Sequence, residues 1–549
     1  MLSRITSCLL PVAFCLFLVS CNSKQKADLI IHHAKIYTVD SAFTVTEAMA
    51  IKNGKILATG KNDDILKTYD ATETKDAGGK ILFPGLIDAH THFVNYGFSL
   101  QRVNLVDTKS WEDVLQHCRE FVKGLAPDEW LTGRGWDQND WTVEQFPDNE
   151  KLNAEYPDRP VLLTRIDGHA AIANQKALDI AGIKAGDKID GGEIEVKNGK
   201  LTGILVDNAV KLVSSKIPVP TAAQTKKALL MAQANCFATG LTSVNECGLD
   251  YPVVLFIDSL QKGNELKMRI YAMLSDAKKN YDYAFAKGKI KTDRLRICAF
   301  KVYADGALGS RGACLLKPYD DQPGWSGFLL SPIAHFDSVA NIISKNGWQM
   351  CTHAIGDSGN RAILTVYAKY LKGKNDLRWR IEHAQVVNEN DLHLFGDYNI
   401  IPSVQPTHAT SDMYWAQQRL GATRVKGAYA YKQLMEQNKW MPLGTDFPVE
   451  DISPFKTFFA AVARQDAKGF PAGGFQMENA LSREQTLRGM TIWAAMASFD
   501  EKEKGSLEAG KFADFILLDT DLMTCPITAV LKTKVLATYV NGEKVFGKE

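Results

Sequence analysis

The sequence predicts an α/β fold: a (β/α)8 TIM-like barrel carrying a small β-sandwich domain built from both chain ends. Three observations predict it. Eight short apolar runs alternate with helical stretches between residues 85 and 446, the pattern of parallel strands joined by crossover helices. Both ends of the chain instead alternate apolar and polar residues around Asn-Gly pairs, the texture of hairpins. The length, 549 residues, exceeds one ordinary domain and suffices for a large barrel with a satellite.

At the amino end the text runs ADLIIHHAKIYTVD and then AFTVTEAMAIKNGKILATG, with Asn53-Gly54 between two apolar runs. At the carboxyl end ADFILLDTDL and VLATYVNGEKVF repeat the pattern around Asn541-Gly542. These stretches, 27–81 and 501–549, are the two parts of the expected sandwich. The barrel takes 82–500, with strands near 85–93, 242–246, 268–274, 297–303, 348–353, 378–383, 400–405 and 441–446. The gap between the first two strands is too long for a crossover, so an insertion is expected at about 94–240. Trp111, Trp130, Trp136 and Trp141 cluster there and suggest an aromatic surface.

Residues 1–20 read differently. Arg4 precedes an apolar run from Cys8 to Ser20 that is short for a membrane span and suits a signal-peptide core. The run ends in Leu18-Val19-Ser20-Cys21, which resembles the bacterial lipobox. That resemblance implies lipidation of Cys21, with 21–26 forming the lipidated cysteine and its tether. The expectation is an exported, membrane-anchored lipoprotein facing the periplasm or the cell exterior. Of the ten cysteines, seven then remain beyond Cys21, an odd number without CxxC spacing, and these read as buried unpaired thiols. Lys+Arg 64 against Asp+Glu 63 leaves no charge bias, which argues against a nucleic-acid partner.

The chemistry sits in five short motifs. In PGLIDAHTHF, His90 and His92 stand two apart at a strand end, so period-two geometry turns both imidazoles toward the barrel mouth. His353 in WQMCTHAIGD, His383 in RWRIEHAQ and Asp446 in MPLGTDFP each close a predicted strand, where a barrel carries its catalytic groups. Four histidines and an aspartate make a nitrogen- and oxygen-rich site suited to Zn²⁺ or a similar divalent ion. Lys301 in RICAFKVYADG ends the fourth predicted strand. It either pairs with a carboxylate such as Asp305 or, with a depressed pKa, adds CO₂ to become a carbamate.

The order HxH, Lys, His, His, Asp resembles the binuclear amidohydrolase superfamily. GRGWDQNDW (133–141), DGHAAIAN (167–174), KVYADGALGSR (301–311), QPTH (405–408) and GSLEAGKFADFILLD (505–519) resemble its YtcJ-like branch, which includes N-substituted formamide deformylases. The match runs from Ala27 onward. It implies two Zn²⁺ per chain bridged by a carbamylated Lys301, with His90, His92 and Asp446 on one ion and His353 and His383 on the other. It also implies a small-molecule substrate split at a non-peptide carbon–nitrogen bond by activated water, Asp446 accepting the water's proton and passing it to the leaving nitrogen. Ester or lactone hydrolysis on the same site is the alternative chemistry, and a binding lipoprotein without catalysis the alternative class. Substrate contacts are expected from His169, Asp305, Arg311, His408 and Trp136. His32, His33, His117, His335 and His393 have no motif around them and read as ordinary surface or core residues.

Overall fold

The computed structural model describes residues 24–548 except Asp167, His169, Asp190 and Gly191. The signal segment, Cys21 and the substrate contact expected of His169 lie outside the described residues. Seven parallel strands form the central sheet: β1 (Leu86–Thr91), β2 (Leu241–Leu249), β3 (Arg269–Ser275), β4 (Leu295–Tyr303), β5 (Gln349–Ala354), β6 (Arg380–His383) and β7 (Ile401–Ser403). They pair in chain order, and helices such as Tyr251–Lys262 and Asp357–Leu371 pack outside. Helices cover the outside of the sheet and its inner face closes on itself, so β2 and β3 are buried almost end to end, the polar Thr242, Ser243, Asn245 and Glu246 of β2 included.

The eighth expected strand, 441–446, is where sequence and structure differ. It lies between β7 and β1 but makes a single ladder bridge, Val404 to Leu443. Pro442 lacks an N–H, and Asp446 has a left-handed φ of 65°, so a regular strand cannot run through it. The seam is closed by individual bonds: Ala89 N to Leu443 O at 3.1 Å, Gly444 N to Val404 O at 3.0 Å and Asp446 N to His90 O at 2.8 Å. A Cβ at Gly444 would stand 2.6 Å from His90 N, so only glycine lets the backbones approach this closely.

The two chain ends build the sheets below the barrel. One sheet is wholly N-terminal, in the order Lys55–Gly60, Ala48–Lys52, Gln25–His32, Tyr69–Asp76. The other joins Glu543–Phe546, Val535–Val540 and Phe515–Leu518 to the N-terminal Ile81–Pro84, Lys35–Tyr37 and Val45–Thr46. Leu29, Ile31, Met49, Leu82, Phe515 and Tyr539 share the core between them. Both Asn-Gly pairs adopt the left-handed conformation their hairpins require. The turns also touch: a Cβ on Gly54 would meet Asn541 Cβ at 3.0 Å. Asp514 in the FADFILLD motif takes a bidentate ion pair from Arg269 at the start of β3, at 2.5 and 2.9 Å, tying sheet to barrel.

Between β1 and β2 the chain forms a separate six-stranded sheet, ordered Gly192–Lys197, Lys200–Asp207, Ala170–Ala173, Val161–Arg165, Leu131–Trp136, Val103–Asn104. The expected aromatic surface is instead largely interior here. Trp136 and Trp141 are buried with ring centroids 5.9 Å apart, and Trp111 packs against Trp141 at 6.2 Å. The seven cysteines of the described residues are free thiols, five of them buried.

Candidate metal centre

The C-terminal ends of β1, β4, β5 and β6 and of the closing segment bring His90, His92, Lys301, His353, His383 and Asp446 together. On β1, period two puts Asp88, His90 and His92 on one side, and each meets the closing segment. Asp88 accepts Thr445 N at 3.0 Å and Thr445 Oγ1 at 2.6 Å. His90 Nε2 and His92 Nε2 stand 3.6 and 3.3 Å from Asp446 Oδ1. His408, from the helix after β7, places its Nε2 3.7 Å from Asp446 Oδ2. Its ring stacks on His383, centroids 5.7 Å apart.

The His383 ring lies 4.7 Å from that of His90 and 4.5 Å from that of His353. Successive strand residues face opposite ways, so Glu382 and His383 could not both serve one site on a regular strand. His383 has a φ of 73°, which breaks the alternation. Glu382 accepts from His90 Nδ1 at 2.6 Å and pairs with the buried Arg380. The bond to Glu382 leaves the other ring nitrogen, Nε2, facing the site, while Gln405 Oε1 holds His383 Nδ1 at 2.8 Å in the same way. Lys301 is 1% exposed, its Nζ 3.3 Å from His90 Nε2 and 5.0 Å from the centre of the Tyr303 ring.

Burial sets most of the protonation states. It drives His90 down to about 4 and His353 to about 3, with the Lys301 charge adding to both. The imidazoles of His90 and His353 are therefore neutral with lone pairs to offer. Burial works to raise Asp446, but His90, His92 and His408 outweigh it and hold the carboxyl well below the usual range, ionised. Lys301 corrects an expectation. Burial does lower it, yet Cys247, Tyr303, Glu382 and Asp446 overcompensate, and the ammonium is held above its ordinary value rather than below.

These residues fit a divalent cation. His90, His383 and Asp446 each bring a donor atom to within 4.8 Å of the others. His353 Nε2, His408 Nε2 and Asp446 Oδ1 are buried without a hydrogen-bond partner, an arrangement costing about 1–3 kcal/mol for each group left so. Neutral imidazoles with a carboxylate are the donor set of Zn²⁺ and similar ions.

Three expected substrate contacts are employed elsewhere. Trp136 is 0% exposed and donates to Leu163 O at 2.9 Å inside the inserted sheet, so it has no face for a ligand. Asp305 accepts the backbone N–H groups of Cys314, Ile355 and Gly356 at 2.8, 2.9 and 2.8 Å, which commits it to shaping loops. It forms no ion pair with Lys301. Arg311 pairs with Asp321 at 2.9 Å on the loop after β4. The groups that sequence reasoning missed are Glu382, Asp88, Gln405 and Tyr303. Glu382, Asp88 and Tyr303 each lie within two residues of a site residue at a strand end, a signal that period-two reading could have used for Asp88, beside His90, and Tyr303, beside Lys301, while Gln405 stands three residues before His408.

The model of the amidohydrolase family matches residues 73–546. YtcJ of Bacillus subtilis is 28% identical over 94% of this chain and 99% of its own length. The N-substituted formamide deformylase of Arthrobacter pascens is 26% identical, covering 94% and 98%. The crystal structure of an uncharacterised metal-dependent hydrolase from Pyrococcus horikoshii superposes with a TM-score of 0.77 at 27% identity, covering 91% of this chain and 99% of that one. With its buried histidines, aspartate and lysine gathered at the mouth of a parallel barrel, the chain belongs to the amidohydrolase family, in the YtcJ-like branch, and is a metal-dependent hydrolase.

Proposed function

We propose that the protein hydrolyses a non-peptide carbon–nitrogen bond in a small amide, an N-substituted formamide or N-acyl amine, at two zinc ions. The observation carrying this reading is the Asp446 carboxylate, ionised and buried, with three imidazoles within 3.7 Å and one oxygen without a hydrogen-bond partner. The Arthrobacter deformylase, similar over nearly its whole length, supports the substrate class. His90 and His92 with Asp446, and His353 with His383, would hold the ions. When bound, they supply Lewis acidity toward a carbonyl and toward water.

The chain's own groups do the rest. Asp446 takes the proton of the attacking water and delivers it to the leaving nitrogen, without which an amide anion would have to depart. His408 Nε2 donates a hydrogen bond to the oxygen that becomes negative as the carbonyl carbon turns tetrahedral. With the ions bound, Lys301 would give up its ammonium proton, and the amine would add CO₂ with loss of a second proton to give an anionic carbamate. That group offers two oxygens where an ammonium would repel both ions.

A hydrolysis screen over formamides, N-acyl amines, esters and lactones, with metal content measured by plasma emission, tests the reading. Turnover of an amide with two zinc per chain is expected. Full activity in metal-free protein, or turnover of esters alone, refutes it. The lipobox further supports an exported protein anchored to a bacterial membrane through Cys21, so Cys21→Ser should abolish fatty-acid labelling and release an active enzyme from the membrane fraction.

A further inference from the structure

A second group of metal-binding side chains lies in the N-terminal sheet, apart from the barrel mouth. His32 ends the strand Gln25–His32, and its register partner on the neighbouring parallel strand is Asp76, the last residue of Tyr69–Asp76. Along a strand His32 and His33 would point to opposite faces. His33 instead has a left-handed φ of 52°, a conformation unusual for a residue with a side chain. Asn62 Oδ1 holds it there, accepting His33 N at 2.8 Å, as does Gly79 N, which donates to His33 O at 2.7 Å. The result is that both imidazoles come to one place, ring centroids 4.5 Å apart and edge-on, beside the Asp76 carboxylate.

One donor atom from each of His32, His33 and Asp76 lies within 4.8 Å of the other two. The pair His33 Nδ1 to Asp76 Oδ2, at 2.9 Å, could by itself be a simple surface hydrogen bond. It does not account for His32, whose Nδ1 is buried with no hydrogen-bond partner. His33 and Asp76 are about half exposed, at 53% and 56%, so an ion reaches them without crossing the core. Two imidazole nitrogens and a carboxylate oxygen suit borderline divalent ions and leave positions for water.

We infer that His32, His33 and Asp76 form an accessory site for a divalent cation of the Zn²⁺ or Ni²⁺ class, clamping the ends of two neighbouring strands. Its ligands belong to none of the motifs of the hydrolase centre, and its presence does not depend on the reaction catalysed there.

The test is equilibrium dialysis of the purified, metal-loaded full-length protein against micromolar Zn²⁺, with ions per chain read by plasma emission. His33→Asn tolerates the left-handed backbone while shortening the ligand, and Asp76→Asn keeps a partner for His33 while removing the charge. Wild type should hold one ion per chain more than either variant, with affinity for that ion falling at least tenfold in each. Hydrolase activity and melting in the absence of added zinc should be unchanged. Zinc-edge anomalous diffraction from wild-type crystals gives a second readout that needs no variant, with a peak expected between His33 and Asp76. Equal uptake by wild type and both variants, or no anomalous peak there, overturns the proposal.

Discussion

A buried amide in the inserted region, Asn174, and the buried polar groups at the barrel mouth are treated in opposite ways. Asn174 in the inserted region is buried with every hydrogen-bonding position used. Its Oδ1 accepts Val161 N and Ala177 N at 2.9 and 3.1 Å, and its Nδ2 donates to Tyr156 O and Arg159 O, both at 2.8 Å. At the mouth His353, His408 and Asp446 each keep an inward atom without a partner. A satisfied buried amide stabilises one arrangement of the chain, whereas unsatisfied donors aimed at a common volume await a ligand. Asn174 and His408 both stand in motifs that resemble one branch, so motif membership alone does not separate architecture from chemistry.

The sharpest way to break this contrast is Asp446→Asn. An amide oxygen cannot accept the water proton, so kcat should fall about 100- to 10,000-fold while the thermal melt stays cooperative. Near-normal turnover would remove Asp446 from proton transfer. Asn174→Ala should do the reverse. Loss of the helix-cap bond from Ala177 N and of the bond from Val161 N should cost about 3 kcal/mol of stability, read by denaturant unfolding, with kcat of the folded fraction unchanged.

Gln405→Met probes the boundary between the two kinds of residue, because it removes the acceptor that orients His383 Nδ1 together with a longer bond from Gln405 Nε2 to Ser403 O at 3.3 Å. Metal affinity should drop about 10- to 100-fold, measured by chelator competition, with little change in melting of the metal-free protein. The smallest effect is expected from Trp136→Phe, which loses the bond to Leu163 O and about 1 kcal/mol of stability. A tenfold fall in kcat there would place substrate against the inserted sheet after all.

The strands β1 to β7 each fell within a few residues of their expected places, β3 and β4 as the near-continuous apolar runs that parallel strands buried on both faces favour. The closing segment was legible as a position but not as a conformation, since its path depends on Gly444 lying against the His90 backbone from across the barrel. At the site, the residue types were visible and their supports were not. Glu382 follows an alternation that points it away from His383, and only the left-handed turn at His383 reconciles them. His32 and His33 carried no surrounding motif because what gathers them is one backbone dihedral and a carboxylate on a neighbouring strand.

The irregular seam of the barrel has a consequence for synthesis. Thr445 and Asp88, whose bonds join the last segment to β1, are 357 residues apart in the chain. A nascent polypeptide therefore exposes His90 and His92 long before the ribosome delivers the aspartate that stands against them. Order at the centre is a late event that coincides with the barrel becoming a closed ring, because Asp446 N bonds His90 O in the same stroke. A chain that stops short of that residue has the sequence of all seven strands and still lacks the aspartate of the centre.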